Sequence, residues 1–380
     1  MSRAELVRAL YLQHYGVESE IVVHAPGRVN LIGDHTDYNE GLVLPAAINA
    51  GTDIAAATQT GNTVSVLAHD FDDSCDIELG VFEYDEKRTW VNYVAGTLKV
   101  LFDQYPELSG AKLVISGNIP QGAGLSSSAS LEIAIIKTFA TLFGLDIDGV
   151  KAALNAQKAE NVFVGCNCGI MDQLISAMGL QGHAMLLDCQ NLQIEDAPLP
   201  LGYSIMVINS NVKRGLVDSA YNERREQCET VARYFQKKSL RSVSIDMLYE
   251  AKPAIEDVLY RRAKHVITEN ARVKICLAAL KSGDMEICGL MMKESHNSLR
   301  DDFEVTTHEM DFLVKIIGEV IGSDGGVRMT GGGFGGCVVA LVPDTVTEKV
   351  RNVVKQKYYN KTGLVADVYL YQASQGAFRV

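Results

Sequence analysis

The sequence predicts an α+β protein of two domains, and three observations lead there. The chain has 380 residues, more than one hydrophobic core usually serves. Strand-like and helix-like segments come in blocks, whereas a parallel sheet of βαβ units needs them to alternate. Between residues 190 and 203 the pattern is interrupted by Pro198, Pro200 and Gly202, so the expected domains are 1–197 and 198–380. A content of 47% hydrophobic and 22% charged residues fits a globular protein with a sizeable core.

The elements follow in order. Residues 2–16 read as a short helix, and Glu20-Ile-Val-Val-His-Ala25 as a strand entering the turn Pro26-Gly27. Segments near 42–49, 52–58 and 63–67, rich in Val, Ala and Ile with Gly between them, read as β-hairpins. A helix is expected over 90–104, ending before Pro106, and a strand over 113–116. After the loop 117–124 comes a helix to Phe143 that is apolar nearly all round and stops at Gly144, hence buried. Helices at 148–163 and 172–179 and a strand at 184–188 complete the first half. The second half opens with a strand at 203–209 and continues with three or four helices between 218 and 320. Strands at 326–329 and 336–342, a helix at 346–358 and a strand at 365–371 close it. The stretch 240–265 is the most polar and least patterned, so a surface excursion is expected there.

Composition also excludes function classes. A net charge of −12 argues against a general nucleic-acid binder, which needs a basic surface. No run reaches the roughly 18 apolar residues that span a bilayer. The opening Met-Ser-Arg-Ala-Glu-Leu-Val-Arg lacks the apolar centre of a signal peptide, so a cytoplasmic protein without membrane partners is expected. Eight scattered Cys read as reduced thiols. Cys166-Asn-Cys168 lacks the two-residue spacer and second pair of a structural metal site and reads as a loop.

Three segments break local rules. Within Ala25-Pro-Gly-Arg-Val-Asn-Leu-Ile-Gly-Asp-His-Thr-Asp-Tyr-Asn-Glu-Gly41, Arg28, Asp34, His35 and Asp37 gather between two apolar strands. Two carboxylates and an imidazole suit the hydroxyls of a sugar, although a solvated turn would use the same residues. Pro120-Gln-Gly-Ala-Gly-Leu-Ser-Ser-Ser-Ala-Ser130 joins a strand to the buried helix. Gly122 and Gly124 admit close backbone approach, and the free amides of the helix start form an anion pocket. Three consecutive Ser exceed what capping requires, which favours phosphate binding. The segment is not a Walker A loop, and Ser127 stands where a dinucleotide fingerprint needs its third Gly. In Arg328-Met-Thr-Gly-Gly-Gly-Phe-Gly-Gly-Cys337, the pattern G-x-G-x-x-G is met, but a strand follows where the fingerprint requires a helix. Bare backbone there suits a phosphate loop, a substrate wall or a structural turn. Asp172, opening a helix, and Glu160, near the end of the one before, read on spacing alone as a dipole-favoured carboxylate and an exposed helical face.

The glycine-bearing segments, in this order, resemble the GHMP family of small-molecule kinases, and Gly27-Arg-Val-Asn-Leu-Ile-Gly-Asp-His-Thr-Asp-Tyr-Asn39 resembles the signature of its galactokinase branch. The likeness continues through 165–176, 222–228 and 329–337. It implies an N-terminal domain resembling domain 2 of ribosomal protein S5, a ferredoxin-like C-terminal domain, and an active site between them. It further implies transfer of the γ-phosphoryl group of ATP, with Mg²⁺ as cofactor, to the C1 hydroxyl of α-D-galactose, by a monomer.

Carried over by position, Asp172 would be the catalytic carboxylate and Arg28 would stabilise charge on the transferring group. Gly122, Ala123, Gly124, Leu125, Ser126, Ser127 and Ser128 would hold the triphosphate, with Trp90 near the adenine. Ser128 and Glu160 would hold Mg²⁺, and Asp34, His35, Thr36, Asp37 and Tyr221 the sugar. The family more often has Glu at position 34. Asp34 is one methylene shorter, so the hydroxyl it meets would be held through water or the sugar would shift. A related kinase acting on N-acetylgalactosamine or another hexose is the alternative. A sugar sensor on this fold would lack the Ser-Ala pair, which is present here as Ser128-Ala129.

Overall fold

The structure, a computed structural model, describes residues 1–120, 122–166, 168–212 and 217–380, with the side chains of 217–219 excepted. Gln121 of the serine-rich loop and Asn167 of the Cys166–Cys168 loop therefore lie outside the described residues.

Helix α1 (Arg3–Tyr15) begins at a capping box, in which the Ser2 hydroxyl accepts from the Glu5 amide and the Glu5 carboxylate accepts from the Ser2 amide. There follow β1 (Ile21–Asn30), β2 (Leu42–Val43), β3 (Pro45–Thr58), β4 (Thr63–Ala68), β5 (Asp73–Glu78), α2 (Thr89–Gln104) and β6 (Ala111–Gly117). Next come α3 (Ser127–Phe143), α4 (Gly149–Lys158), α5 (Met171–Met178), β7 (His183–Asp188) and β8 (Gln193–Pro198). The second half runs β9 (Tyr203–Asn209), α6 (Val217–Tyr234), α7 (Ile245–Ala251), α8 (Asp257–Ser282), α9 (Met285–Asp301) and α10 (His308–Ile321). It ends with β10 (Gly326–Thr330), β11 (Cys337–Pro343), α11 (Thr347–Thr362), β12 (Asp367–Tyr371) and β13 (Phe378–Arg379).

The first sheet has the order β13-β1-β3-β6-β4-β5, with β4 and β6 parallel and the other pairs antiparallel. The hairpin expected between 52–58 and 63–67 is absent, because β6 lies between β3 and β4. Burial explains the order. Leu113, Val114 and Ile115 of β6 are covered on both faces, as a central strand must be, whereas β4 alternates buried with less buried residues. The second sheet is antiparallel in the order β10-β11-β9-β12, the strand order of a ferredoxin-like βαββαβ unit, with α6 to α10 between its first two strands. The strands β2, β7 and β8 form a third sheet. After β12 the chain returns to the first sheet, where β13 pairs with β1.

Two further expectations need correction. The helix foreseen over 148–163 is not uniform: α4 ends at Lys158 and Ala159–Val164 forms a π-helical turn. Such wider turns often mark functional positions, and this one carries Glu160 into the interior at 5% exposure. The stretch 240–265 is not a surface excursion. Leu240, Val243, Leu248, Tyr260 and Ala263 are buried in the core of the second half. The polarity that suggested a loop is internally compensated there, since buried Arg262 donates to Glu304 Oε2 and to the Asp302 carbonyl, each at 2.5 Å. The eight Cys are reduced thiols, as expected.

Helix α3 packs against β1 and β3 through a buried polar pin. The Ser130 hydroxyl donates to the Ala25 carbonyl at 2.8 Å, accepts from the Thr52 amide at 3.0 Å and lies 2.8 Å from Thr52 Oγ1. The pin sets the helix start relative to β1, which carries Arg28. Substituting Ser130→Ala strands the Thr52 amide in a dry interior, so urea unfolding should show a loss of about 2 kcal/mol.

Candidate active site

A cavity of about 450 Å³ collects residues from β1, the turn after it, the loop before α5, α6 and the loop after β10. Its floor is an ion pair between elements far apart in sequence. Arg28 Nε donates to Asp172 Oδ1 at 2.6 Å and Nη2 to Asp172 Oδ2 at 2.5 Å. The third nitrogen, Nη1, donates to the Gly124 carbonyl at 2.6 Å, so one guanidinium joins the carboxylate to the glycine loop. The planar fork of Arg matches a carboxylate in this two-point manner, which a Lys could not. Gly27 makes the approach possible, because a Cβ there would lie 2.7 Å from the Leu125 carbonyl oxygen. The Ser126 hydroxyl donates to Asp172 Oδ2.

The turn after β1 supplies the sugar-signature residues. Asp34 is buried, and its carboxylate accepts from Asn30, from the Gly331 amide and from the guanidinium of Arg328. His35 sits at φ 64 and is held neutral, because burial drives its pKa down to about 3, with nearby Arg224 and Arg328 adding to the effect. Its Nδ1 lies 3.0 Å from the Tyr38 hydroxyl, whereas buried Nε2 has no hydrogen-bond partner. The ring packs against those of Tyr221 and Phe303. Thr36 is fully buried with its hydroxyl between the Gly33 and Leu42 carbonyls, so it shapes the turn and does not line the cavity. Asp37 does line it. Burial pushes its pKa up to about 6, and the charges of Asp172 and Asp34 push the same way. Asp37 packs so closely on Gly169 that a Cβ there would fall 2.2 Å from Oδ2. Tyr221 reaches the cavity from α6, and burial, then Asp37 and Asp172, hold its phenol protonated as a donor.

The serine-rich loop lies behind Asp172. Gly122 and Gly124 both have φ +70, and Ser126 precedes α3 with φ +58. Ala123 and Leu125 turn into the core and anchor the loop, while the amides that open α3 remain without intrahelical partners. Glu160 takes a hydrogen bond from Gln173 Nε2 at 2.6 Å and one from the Cys168 thiol at 3.3 Å, and the Ser128 hydroxyl bonds to it as well. Burial and the charge of Asp172 raise its pKa. Behind it, fully buried Glu132 keeps Oε1 without a partner, as does Gln173 its Oε1. A charged residue in the otherwise apolar run Leu131-Glu-Ile-Ala-Ile-Ile136 was the available signal for this second carboxylate.

These oxygens fit Mg²⁺. Among the described residues no three His, Cys, Asp or Glu form a metal-holding group. Mg²⁺ needs no such cage, since one or two protein oxygens plus substrate phosphates usually hold it. Trp90 lies outside the cavity lining. Its indole N–H donates to Asp73 Oδ2 at 2.9 Å and its ring stacks on Phe71. The assembled groups comprise a positioned carboxylate, a bidentate cation, a helix start with amides that have no intrahelical partners, and a wall of neutral donors and acceptors. That set suits phosphoryl transfer to a polyol, which asks mainly for positioning and charge neutralisation.

Comparison with known proteins agrees. Residues 9–58 match the galactokinase galactose-binding signature, 92–180 the GHMP kinases N-terminal domain, and 276–360 the GHMP kinases C-terminal domain. The structure is similar to that of Lactococcus lactis galactokinase complexed with galactose, at 34% identity over 98% of both chains with a TM-score of 0.92. Methanococcus jannaschii mevalonate kinase, at 18% identity over 94% of this chain and 99% of its own, has a TM-score of 0.64. For Streptococcus pneumoniae phosphomevalonate kinase the values are 14%, 95%, 100% and 0.65, so these two share the fold. The glycine loops, the signature turn and the arrangement of the sheets thus have one common reading: the chain belongs to the GHMP kinases and, within them, to the galactokinases.

Proposed function

We propose that the cavity binds α-D-galactose and the tail of ATP side by side, and that the chain transfers the γ-phosphoryl group to the C1 hydroxyl, giving galactose 1-phosphate and ADP. The observation that carries this reading is the Arg28–Asp172 pair, set at the junction of the sugar turn and the serine-rich loop. Asp172 accepts or orients the proton of the attacking hydroxyl. Arg28 fixes the carboxylate plane and supplies positive charge where the phosphoryl group passes. The amides opening α3 and the hydroxyls of Ser127 and Ser128 receive the phosphates. Ser128 and Glu160 would hold Mg²⁺, which when bound neutralises phosphate charge. His35, Asp37 and Tyr221 meet the sugar hydroxyls.

No helix among the described residues is long and apolar enough to cross a membrane. We place the enzyme in the cytoplasm as a monomer. An ADP-release assay with galactose, glucose, 2-deoxygalactose, N-acetylgalactosamine and mevalonate tests the reading. Turnover is expected on galactose, and its absence would refute the assignment.

Asp172→Asn keeps the shape but removes the charge and an acceptor. It should lower kcat by about 10³-fold, measured under saturating galactose and ATP, while circular dichroism stays unchanged. The pH profile follows from Asp37. Its folded pKa of about 6 lies above the ordinary aspartate value of 3.8, so protonation removes the ionised acceptor as pH falls through 6. The ratio kcat/KM for galactose should decline on the acid side with a midpoint near 6, and Asp37→Asn should abolish that limb. Stability carries the opposite sign. The folded state holds this proton more tightly, so the group's contribution is lost as pH rises from about 4 through 6.

A further inference from the structure

Glu132 is a carboxyl in the apolar part of α3, four residues after Ser128 and therefore on the same side of that helix. It is 0% exposed, its Oε1 has no hydrogen-bond partner, and its Oε2 meets Gln173 Nε2 at 3.4 Å. Gln173, also 0% exposed, follows Asp172 on α5 and leaves its own Oε1 unpaired. The same Nε2 donates to Glu160 Oε2 at 2.6 Å, so one primary amide serves two carboxyl groups with its two N–H bonds. The Cys168 thiol donates to that Glu160 oxygen too, at 3.3 Å, and the Glu160 carbonyl accepts from the Gly165 and Cys166 amides at 2.9 and 3.1 Å. Both the main chain and Oε2 of Glu160 are thus held from within the protein. Two unpaired oxygens in a dry interior work against stability, and apolar groups of the same shape would do at least as well. What the arrangement secures is direction. With two carboxyl groups asking for a donor, only the nitrogen end of the Gln173 amide can face them, and this gives the Glu160 carboxylate one setting.

We infer that Glu132 is a positioning residue for the divalent ion: through the Gln173 amide it orients the Glu160 carboxylate beside Ser128, and it touches neither the ion nor a substrate. This rests on reading Ser128 and Glu160 as the Mg²⁺ ligands. The link joins three elements behind the site: α3, which opens at the serine-rich loop, the π-helical turn that carries Glu160, and α5, which carries Asp172. Partners that hold a ligand from behind set its orientation and, through it, the affinity for the metal.

Metal binding separates this role from packing. Mn²⁺, which shares the oxygen preference of Mg²⁺, is titrated by electron paramagnetic resonance into the full chain with a non-hydrolysable ATP analogue, and the analogue alone is titrated in EDTA. Glu132→Met and Gln173→Met should each weaken Mn²⁺ binding by about tenfold to a hundredfold, and leave metal-free analogue binding within about twofold. Their effects should be non-additive in the double variant, and additive effects would contradict a shared link. Should one Met variant fail to fold, the other tests the same link from its opposite end. Glu132→Gln keeps an acceptor for Gln173 Nε2 and offers a donor to Gln173 Oε1, so it should recover most of the lost affinity. Equal weakening by Glu132→Gln and Glu132→Met would overturn the proposal, because the charge itself would then be the cause. Unchanged Mn²⁺ affinity in both Met variants, or a parallel loss of metal-free analogue binding, would overturn it as packing alone. Glu160→Gln examines the underlying reading. If it leaves Mn²⁺ binding intact, that reading and the proposal fall together, whereas weak binding there with full binding in the Met variants refutes the positioning role alone.

Discussion

The site depends on one guanidinium. Arg28 holds both oxygens of Asp172 and, with its remaining nitrogen, the Gly124 carbonyl. Strand β1, the serine-rich loop and the start of α5 therefore share a fixed origin. An acceptor for the sugar proton and amides for the phosphates have to be placed relative to one another to within a fraction of an ångström, and a bidentate pair fixes direction as well as distance. Without Gly27 the strand could not come close enough to form it, and without Ser130 the helix start would lose its lateral anchor.

The second constraint is electrostatic. Asp34, Asp37, Asp172, Glu160 and Glu132 crowd one region of a chain that is already acidic overall. The fold contains the repulsion in two ways. Arg28 and Arg328 each neutralise one carboxylate, Asp172 and Asp34 respectively. The carboxyls of Asp37, Glu160 and Glu132 are instead shifted toward protonation, first by burial and then by neighbouring carboxylates, Asp172 acting on all three. Buried carboxylates with an unpartnered oxygen work against stability, and their concentration beside the proposed Mg²⁺ and phosphate positions is what a site built to receive cationic and anionic ligands together requires.

Much of the chemistry was readable from local sequence, because each glycine-bearing segment is contiguous and its residue types limit what it can do. Gly122 and Gly124 adopt the positive φ that their motif implied, and the two-block order of elements matches the two larger sheets. What local patterns could not carry was partnership at long range. Arg28 and Asp172 are 144 positions apart, and Arg328 and Asp34 are 294 apart. Arg328 therefore read only as the start of a glycine run. Likewise, nothing in residues 52–67 shows that β6 will insert between two successive strands; the evidence for it is that Leu113–Ile115 needs cover on both faces. The polarity of 240–265 misled because Arg262 finds Glu304 and Asp302 only in the folded chain. The π-helical turn at Ala159–Val164, which brings Glu160 inward, left no trace in the apolar period.

A crystal structure of the chain with galactose and a non-hydrolysable ATP analogue addresses the central claim most directly. The account requires the anomeric hydroxyl within about 3 Å of Asp172, Arg28 still gripping that carboxylate, and the phosphates seated on the amides that open α3. A sugar bound with C1 turned away from Asp172, or phosphates seated elsewhere than the serine-rich loop, would contradict it.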